Sequence, residues 1–215
     1  MVTATETLAR PRARQTETWG AVGFWGGIAG ALSAMLLIVY PPEVSLDHFS
    51  YPFGAMGFTI AQLFFALQHV TMVLVIVGLL RTAAGHSRLA RGGLVAAVVG
   101  LLLMSVLEIV VILAADAVVG DPLFDTMSSL YGIPTILTAI GLVVGGIGIL
   151  RARVWLSRAR VLPLALGAYV FVVLMPALFG PNWLGRVAIG IWCLLFAVQG
   201  WILWRGALSR PVVES

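Results

Sequence analysis

The chain is built from long apolar runs separated by short polar breaks. The runs are Trp19–Tyr40, Gly57–Leu80, Gly92–Ala115, Leu130–Leu150, Val161–Phe179 and Leu184–Trp204. Each approaches the roughly 20 residues that a helix rising about 1.5 Å per residue needs to cross hydrocarbon. None shows the strict two-residue alternation of a half-buried strand. The pattern predicts an all-α polytopic transmembrane bundle of six helices. Residues 1–18 are expected to form a polar N-terminal arm, 19–205 the transmembrane domain and 206–215 a short tail. A cleaved leader is the rival for the first run. At about 22 residues, however, that run exceeds the roughly 7 to 15 of a signal-peptide core, and Pro41-Pro42 ends it.

The breaks carry the topological information. If the six runs alternate in direction, the arm, the Arg81–Arg91 turn, the Arg151–Arg160 turn and the tail share one side. That side holds all thirteen arginines except Arg186. The other side holds Arg186 with Glu43, Asp47, Asp116, Asp121 and Asp125. Basic flanks are retained in the cytoplasm, so both termini are expected inside. Adding or removing one helix would destroy this agreement. The expected location is a bacterial inner (plasma) membrane, since richness in Ala, Gly, Val and Arg without Lys points to a GC-rich bacterial gene.

Composition narrows the chemistry. Hydrophobic residues make up 60% of the 215 and charged ones 10%, which leaves little for a water-soluble domain. With no Lys, Schiff-base and phosphate-loop mechanisms lack their amine. The single Cys193 excludes an internal disulfide and any multi-cysteine metal framework. His48, His69 and His86 are too scattered for a haem held by paired histidines, and no cofactor is expected. The arginine clusters suit anionic lipid headgroups rather than nucleic acid. The bilayer is therefore the principal partner, with a homo-oligomer or a separate membrane subunit as further possibilities.

Small residues mark close helix approaches. Gly23, Gly27 and Ala31, with Gly26, Gly30 and Ala34 beside them, form strips at spacings of four on the first run, and Gly141, Gly145 and Gly148 form another on the fourth. Packing within one chain is the expected use, with contact between copies as the alternative. Pro134 and Pro163 fall in first turns, whereas Pro176 lies deep enough to free a carbonyl and bend the fifth helix. Trp19, Trp25, Trp183, Trp201 and Trp204 fall near expected interfaces as anchors. A faint repeat pairs Gly78-Leu79-Leu80-Arg81 with Gly148-Ile149-Leu150-Arg151, and Leu63–Gln68 with Leu194–Gln199. Duplication and the shared demands of inside-anchored helices both account for it.

Polar residues within the runs are the features that could carry chemistry. Glu108 lies roughly 10 Å below the outer end of the third helix, where a charge costs about 2.5 to 3.5 kcal/mol. On the second helix, Gln62 and His69 share a face at depths that bracket Glu108. The expected cluster is Gln62, His69 and Glu108. It could be an interhelical clasp, with Glu108 carrying its proton and donating to Gln62 or His69. It could be a proton- or cation-coupled binding site under an outward-opening cavity. It could be catalytic, with His69 as base, but that needs a nucleophile or metal. Ser105 is near on the same helix, without a glycine-framed serine motif around it. Gln68, Gln199 and Trp192 are weaker binding candidates; Trp192, Phe196 and Gln199 form one helical stripe of the kind more often used in packing. In the outer loops, Glu43, Asp47 and His48 with Asp121 and Asp125 could bring oxygen and imidazole ligands to a divalent cation, although polar outer loops are also the ordinary case.

From about Tyr131 onward, four segments carry a resemblance. They are Gly148-Ile149-Leu150-Arg151, the turn with Trp155-Leu156, Leu162-Pro163-Leu164-Ala165-Leu166-Gly167, and Gly200-Trp201-Ile202-Leu203-Trp204. This half resembles small six-helix bacterial membrane proteins of unknown function, with Val154 where those more often have Pro-Arg before the Trp. The resemblance implies fold and location and no activity. In length, topology and small-residue first helix the chain is also similar to the six-helix substrate-binding subunit of modular vitamin transporters. That likeness implies a separate membrane energising subunit and a cytoplasmic ATPase as partners.

Overall fold

A computed structural model describes residues 4–82, 87–153 and 158–206. Its helices are α1 (Ala4–Val39), α2 (Ala55–Arg81), α3 (Arg88–Val110), α4 (Pro122–Leu130), α5 (Gly132–Ala152), α6 (Leu162–Tyr169), α7 (Met175–Leu178) and α8 (Asn182–Trp204). A 3-10 turn over Val111–Ala114 extends α3. Six stretches are long and apolar enough to cross a membrane: Arg14–Val39, Ala55–Arg81, Arg88–Ala114, Pro122–Ala152, Ala159–Leu178 and Asn182–Trp204. They coincide with the six runs of the sequence, so the protein is a multi-pass helical membrane protein.

Two boundaries differ from the sequence pattern. The helix of the first span begins at Ala4 and runs for 36 residues, roughly 54 Å at 1.5 Å per residue, so the backbone of the polar arm is helical from Ala4 onward. The fourth span gains α4, placed by the sequence pattern in a loop. Asp121 and Pro122 supply an N-cap residue and a first-turn proline, and the Thr126 hydroxyl donates to the Pro122 carbonyl at 2.6 Å. Tyr131 caps α4 and precedes α5.

The spans stand in chain order around the bundle, and α8 closes the ring against α1. Close backbone approach makes the tightest pairs. A Cβ at Gly27 would lie 2.6 Å from the Cys193 carbonyl oxygen of α8, and one at Gly141 would lie 2.4 Å from the Ala97 nitrogen of α3. Gly23 and Gly26 face Val75 and Thr71 of α2 in the same manner, so both edges of the first-span strip serve packing within the chain. Met72, Ile76, Leu94, Leu142, Leu166 and Phe196 fill the centre. Leu32, Leu67 and Val172, at 65%, 64% and 72% exposure, face outward as a lipid-bathed surface requires.

The fifth span is interrupted as its proline predicts. Pro176 has no N–H to donate, and the turn before it, Val170–Leu174, widens to a π-helix. At the arginine-rich end, the Arg81 guanidinium lies 4.1 Å over the Trp19 ring and donates to the Gln15 side chain, fastening α2 to α1. Trp25, Trp183, Trp201 and Trp204 are all exposed, as interfacial anchors need to be. Of the sequence features, His86 and Trp155-Leu156 lie outside the described residues.

At the opposite end the two connecting loops pair. His48 and Val118 form an antiparallel bridge, the Phe49 N–H donates to the Ala117 carbonyl at 2.9 Å, and the Val119 N–H donates to the Asp47 carbonyl at 2.9 Å. Glu43 pins the first loop by accepting from the Tyr40 hydroxyl and, at 3.0 Å, from the Gly54 N–H. These bonds hold its carboxyl below the ordinary range, the Tyr40 bond contributing most, and push the Tyr40 phenol up. The pinned loops roof the interior.

Candidate functional site

Beneath that roof is a cavity of about 520 Å³ with walls from all six spans. Such a volume falls within the roughly 300 to 1,000 Å³ of small-molecule sites. Its polar centre is built from α2, α3, the head of α5 and the first turns of α8. Glu108 is 6% exposed and Gln62 5%, and both face the cavity, as does half-buried His69. His69 Nδ1 lies 3.9 Å from Glu108 Oε1. The Tyr131 hydroxyl donates to Glu108 Oε2 at 2.8 Å, and Gln62 reaches the same hydroxyl.

His69 has its tautomer set locally. Nδ1 lies 2.7 Å from the Phe65 carbonyl, which can only accept, so Nδ1 bears the proton and the free lone pair is on Nε2. A direct hand-over between Nδ1 and Glu108 is therefore not set up. Gln62 Oε1 is buried without a hydrogen-bond partner among the described residues. In a roomy polar cavity that acceptor is available to an occupant.

The weaker sequence candidates divide. Gln68 reaches the cavity edge and donates to Cys193 Sγ at 3.0 Å. Trp192 lines the cavity floor and donates from Nε1 to the Leu166 carbonyl at 3.2 Å. Ser105 donates to the Ala66 carbonyl at 2.9 Å, tying α3 to α2. Gln199 is fully buried below the cavity, with neither amide atom partnered among the described residues.

In the loops, His48 Nδ1 lies 3.3 Å from Asp47 Oδ1 and 2.9 Å from the Ser45 hydroxyl, which also bonds Asp47. The Ser45 bond is the main cause holding the Asp47 carboxyl below its ordinary range. Asp121 accepts from the Val118 N–H at 3.0 Å, while Asp125 lies in the first turn of α4. Among the described residues, no three His, Cys, Asp or Glu side chains converge as a metal would require.

Two residues that sequence reasoning did not assign to the site belong to it. Tyr131 was hidden because its position depends on the break between α4 and α5. Arg186, in the sequence a topological exception, lines the cavity, half-buried, and its charge couples first to Glu108 and then to the Tyr131 and Tyr51 hydroxyls. The signal was its position: an arginine on the arginine-poor side, in an apolar helix, asks for an anionic partner.

Six apolar crossings around a roofed, polar-centred chamber define the class: a multi-pass integral membrane protein with an internal cavity. No protein-family model matches the chain, and neither a curated protein nor a solved structure matches it.

Proposed function

We propose that the protein binds a small molecule in this cavity and carries it across a bacterial plasma membrane, with both termini in the cytoplasm and the roofed mouth facing outward. The observation that carries the reading is the chamber itself, in which Glu108, His69 and Gln62 meet with a buried acceptor unspent. A bundle serving only as scaffold has no need to keep such space open, because close packing would stabilise it. Proton exchange at Glu108, relayed to His69 Nε2 through the occupant or a water, couples binding to pH.

One observation favours a structural reading instead. The Tyr131–Glu108 and Ser105–Ala66 bonds join neighbouring spans as a clasp would. Glu108→Gln separates the two. Its amide still accepts from Tyr131, so expression and melting temperature should stay near wild type under either reading. Native mass spectrometry of gently extracted wild-type protein identifies the retained molecule, whose uptake into proteoliposomes is then followed across pH. Under the carrier reading the mutant loses pH-dependent uptake by tenfold or more. Unchanged uptake across pH removes Glu108 from the mechanism, and a cavity empty in all preparations favours the clasp.

A further inference from the structure

The charges of the cavity specify its occupant more closely. Arg186 is a permanent cation. Among the described residues no carboxylate lies within 4 Å of it and its guanidinium makes no hydrogen bond. A lone guanidinium within an apolar bundle is costly unless an anion shares its surroundings. Among the described residues, Glu108 is the one acidic side chain that lines the chamber. Glu108 reaches Arg186 through space rather than by contact, and Tyr131 holds one of its oxygens.

Building on the carrier reading, we propose that the occupant is a small monoanion with an apolar body, a monocarboxylate in chemical class, which Arg186 grips while Glu108 takes up one proton.

Charge balance leads there. With Arg186 charged and Glu108 ionised, the chamber is neutral. A monoanion beside Arg186 would leave one uncompensated negative charge, and a proton on Glu108 restores neutrality. Binding is then electroneutral for one anion and one proton. A cation would be repelled by Arg186, and a dianion would leave net charge in a medium where that is expensive.

The rest of the wall fits an apolar body. Phe49, Phe58, Phe65, Phe124 and Trp192 line the chamber, and among the described residues Arg186 is its one arginine. Arg186 lies in the opening turns of α8, where unbonded backbone N–H groups and the helix dipole also favour negative charge. The titratable groups facing Glu108 are His69 from α2, Tyr131 from the head of α5 and Arg186 from α8. Tyr51 and His48 stand in the roof and Cys193 in the floor, while α1 and α7 contribute only neutral residues to the wall.

The test uses purified full-length protein in detergent and one molecular shape in three charge forms: benzoate, benzamide and benzylamine, with octanoate as a longer acid. Binding is read by thermal shift and by calorimetry in two buffers of different ionisation enthalpy, which counts protons. A carboxylate should bind with close to one proton taken up. Arg186→Gln should weaken it at least tenfold, whereas Arg186→Lys, which keeps the charge, should retain most binding. Unliganded melting temperatures establish that both variants fold. Glu108→Gln should bind without proton uptake. Benzamide binding as tightly as benzoate, or benzylamine binding best, would overturn the monoanion proposal and leave the carrier reading standing. If no acid binds, the monoanion proposal fails, and the molecule found by native mass spectrometry decides the carrier reading separately.

Discussion

At the scale of single residues, a membrane interior makes polar atoms conspicuous, and each must be spent on a partner or on a function. Ser105, Gln68 and Trp192 are spent on partners. Gln199 is not: it is fully buried, and both its amide atoms lack partners among the described residues. An unmade hydrogen bond on a buried polar group costs about 1 to 3 kcal/mol. Gln199→Met, close in shape and free of that demand, should therefore raise stability by about 1 kcal/mol, visible as a higher melting temperature in detergent. A clear fall would mean that the amide serves an interaction formed in another state of the protein. The sequence revealed Glu108 at once, because a carboxylate in an apolar run needs a partner, whether in a clasp or in a binding site. It concealed Tyr131, an ordinary residue at a helix margin, because its partnership with Glu108 depends on how α5 packs against α3. Arg186 was visible, but its charge served the topology argument, which has no depth coordinate.

At the scale of elements, the sequence was legible wherever hydrophobic length or backbone chemistry decides the outcome. The six spans follow from run length. The π-helical turn before Pro176 follows from the missing N–H, and the α1–α8 and α3–α5 seams follow from glycine strips. The roof was not legible, because polar loop residues have no periodicity to read. Its bonding nevertheless makes a sign-definite prediction. Glu43 has a lowered carboxyl pKa, so its contribution is present above the ordinary value of 4.5 and is lost as pH falls through the lower folded value. Tyr40 has a raised phenol pKa, so its contribution is present below the ordinary value of 10.0 and is lost as pH rises through the folded value. Hydrogen-exchange protection factors at the Glu43 and Gly54 amides should thus be flat between about pH 6 and 9 and fall on acidification below the ordinary carboxyl value. Glu43→Gln should remove the acid limb. Protection that is independent of pH in the wild type would show that the roof is held by backbone pairing alone.

At the scale of the whole molecule, an even number of crossings returns both termini to one face, and the arginine distribution leads us to propose that this face is cytoplasmic. The carrier reading depends on the answer, because a roofed mouth facing outward would admit molecules from outside the cell. The chain is well suited to a direct test. Its only cysteine, Cys193, is buried between α8 and its neighbours, so background labelling should be low. Val119, 63% exposed in the roof loop, and Thr18, exposed near the arginine-rich end of α1, can each be replaced by cysteine without touching the chamber. With a membrane-impermeant maleimide on intact cells, Val119→Cys should label strongly and Thr18→Cys only after the membrane is permeabilised. The reverse pattern would place the mouth in the cytoplasm and turn the proposed carrier toward export. Equal labelling of both sites in intact cells would mean that the chain inserts in two orientations, contrary to a bias that leaves Arg186 alone on one side among thirteen arginines.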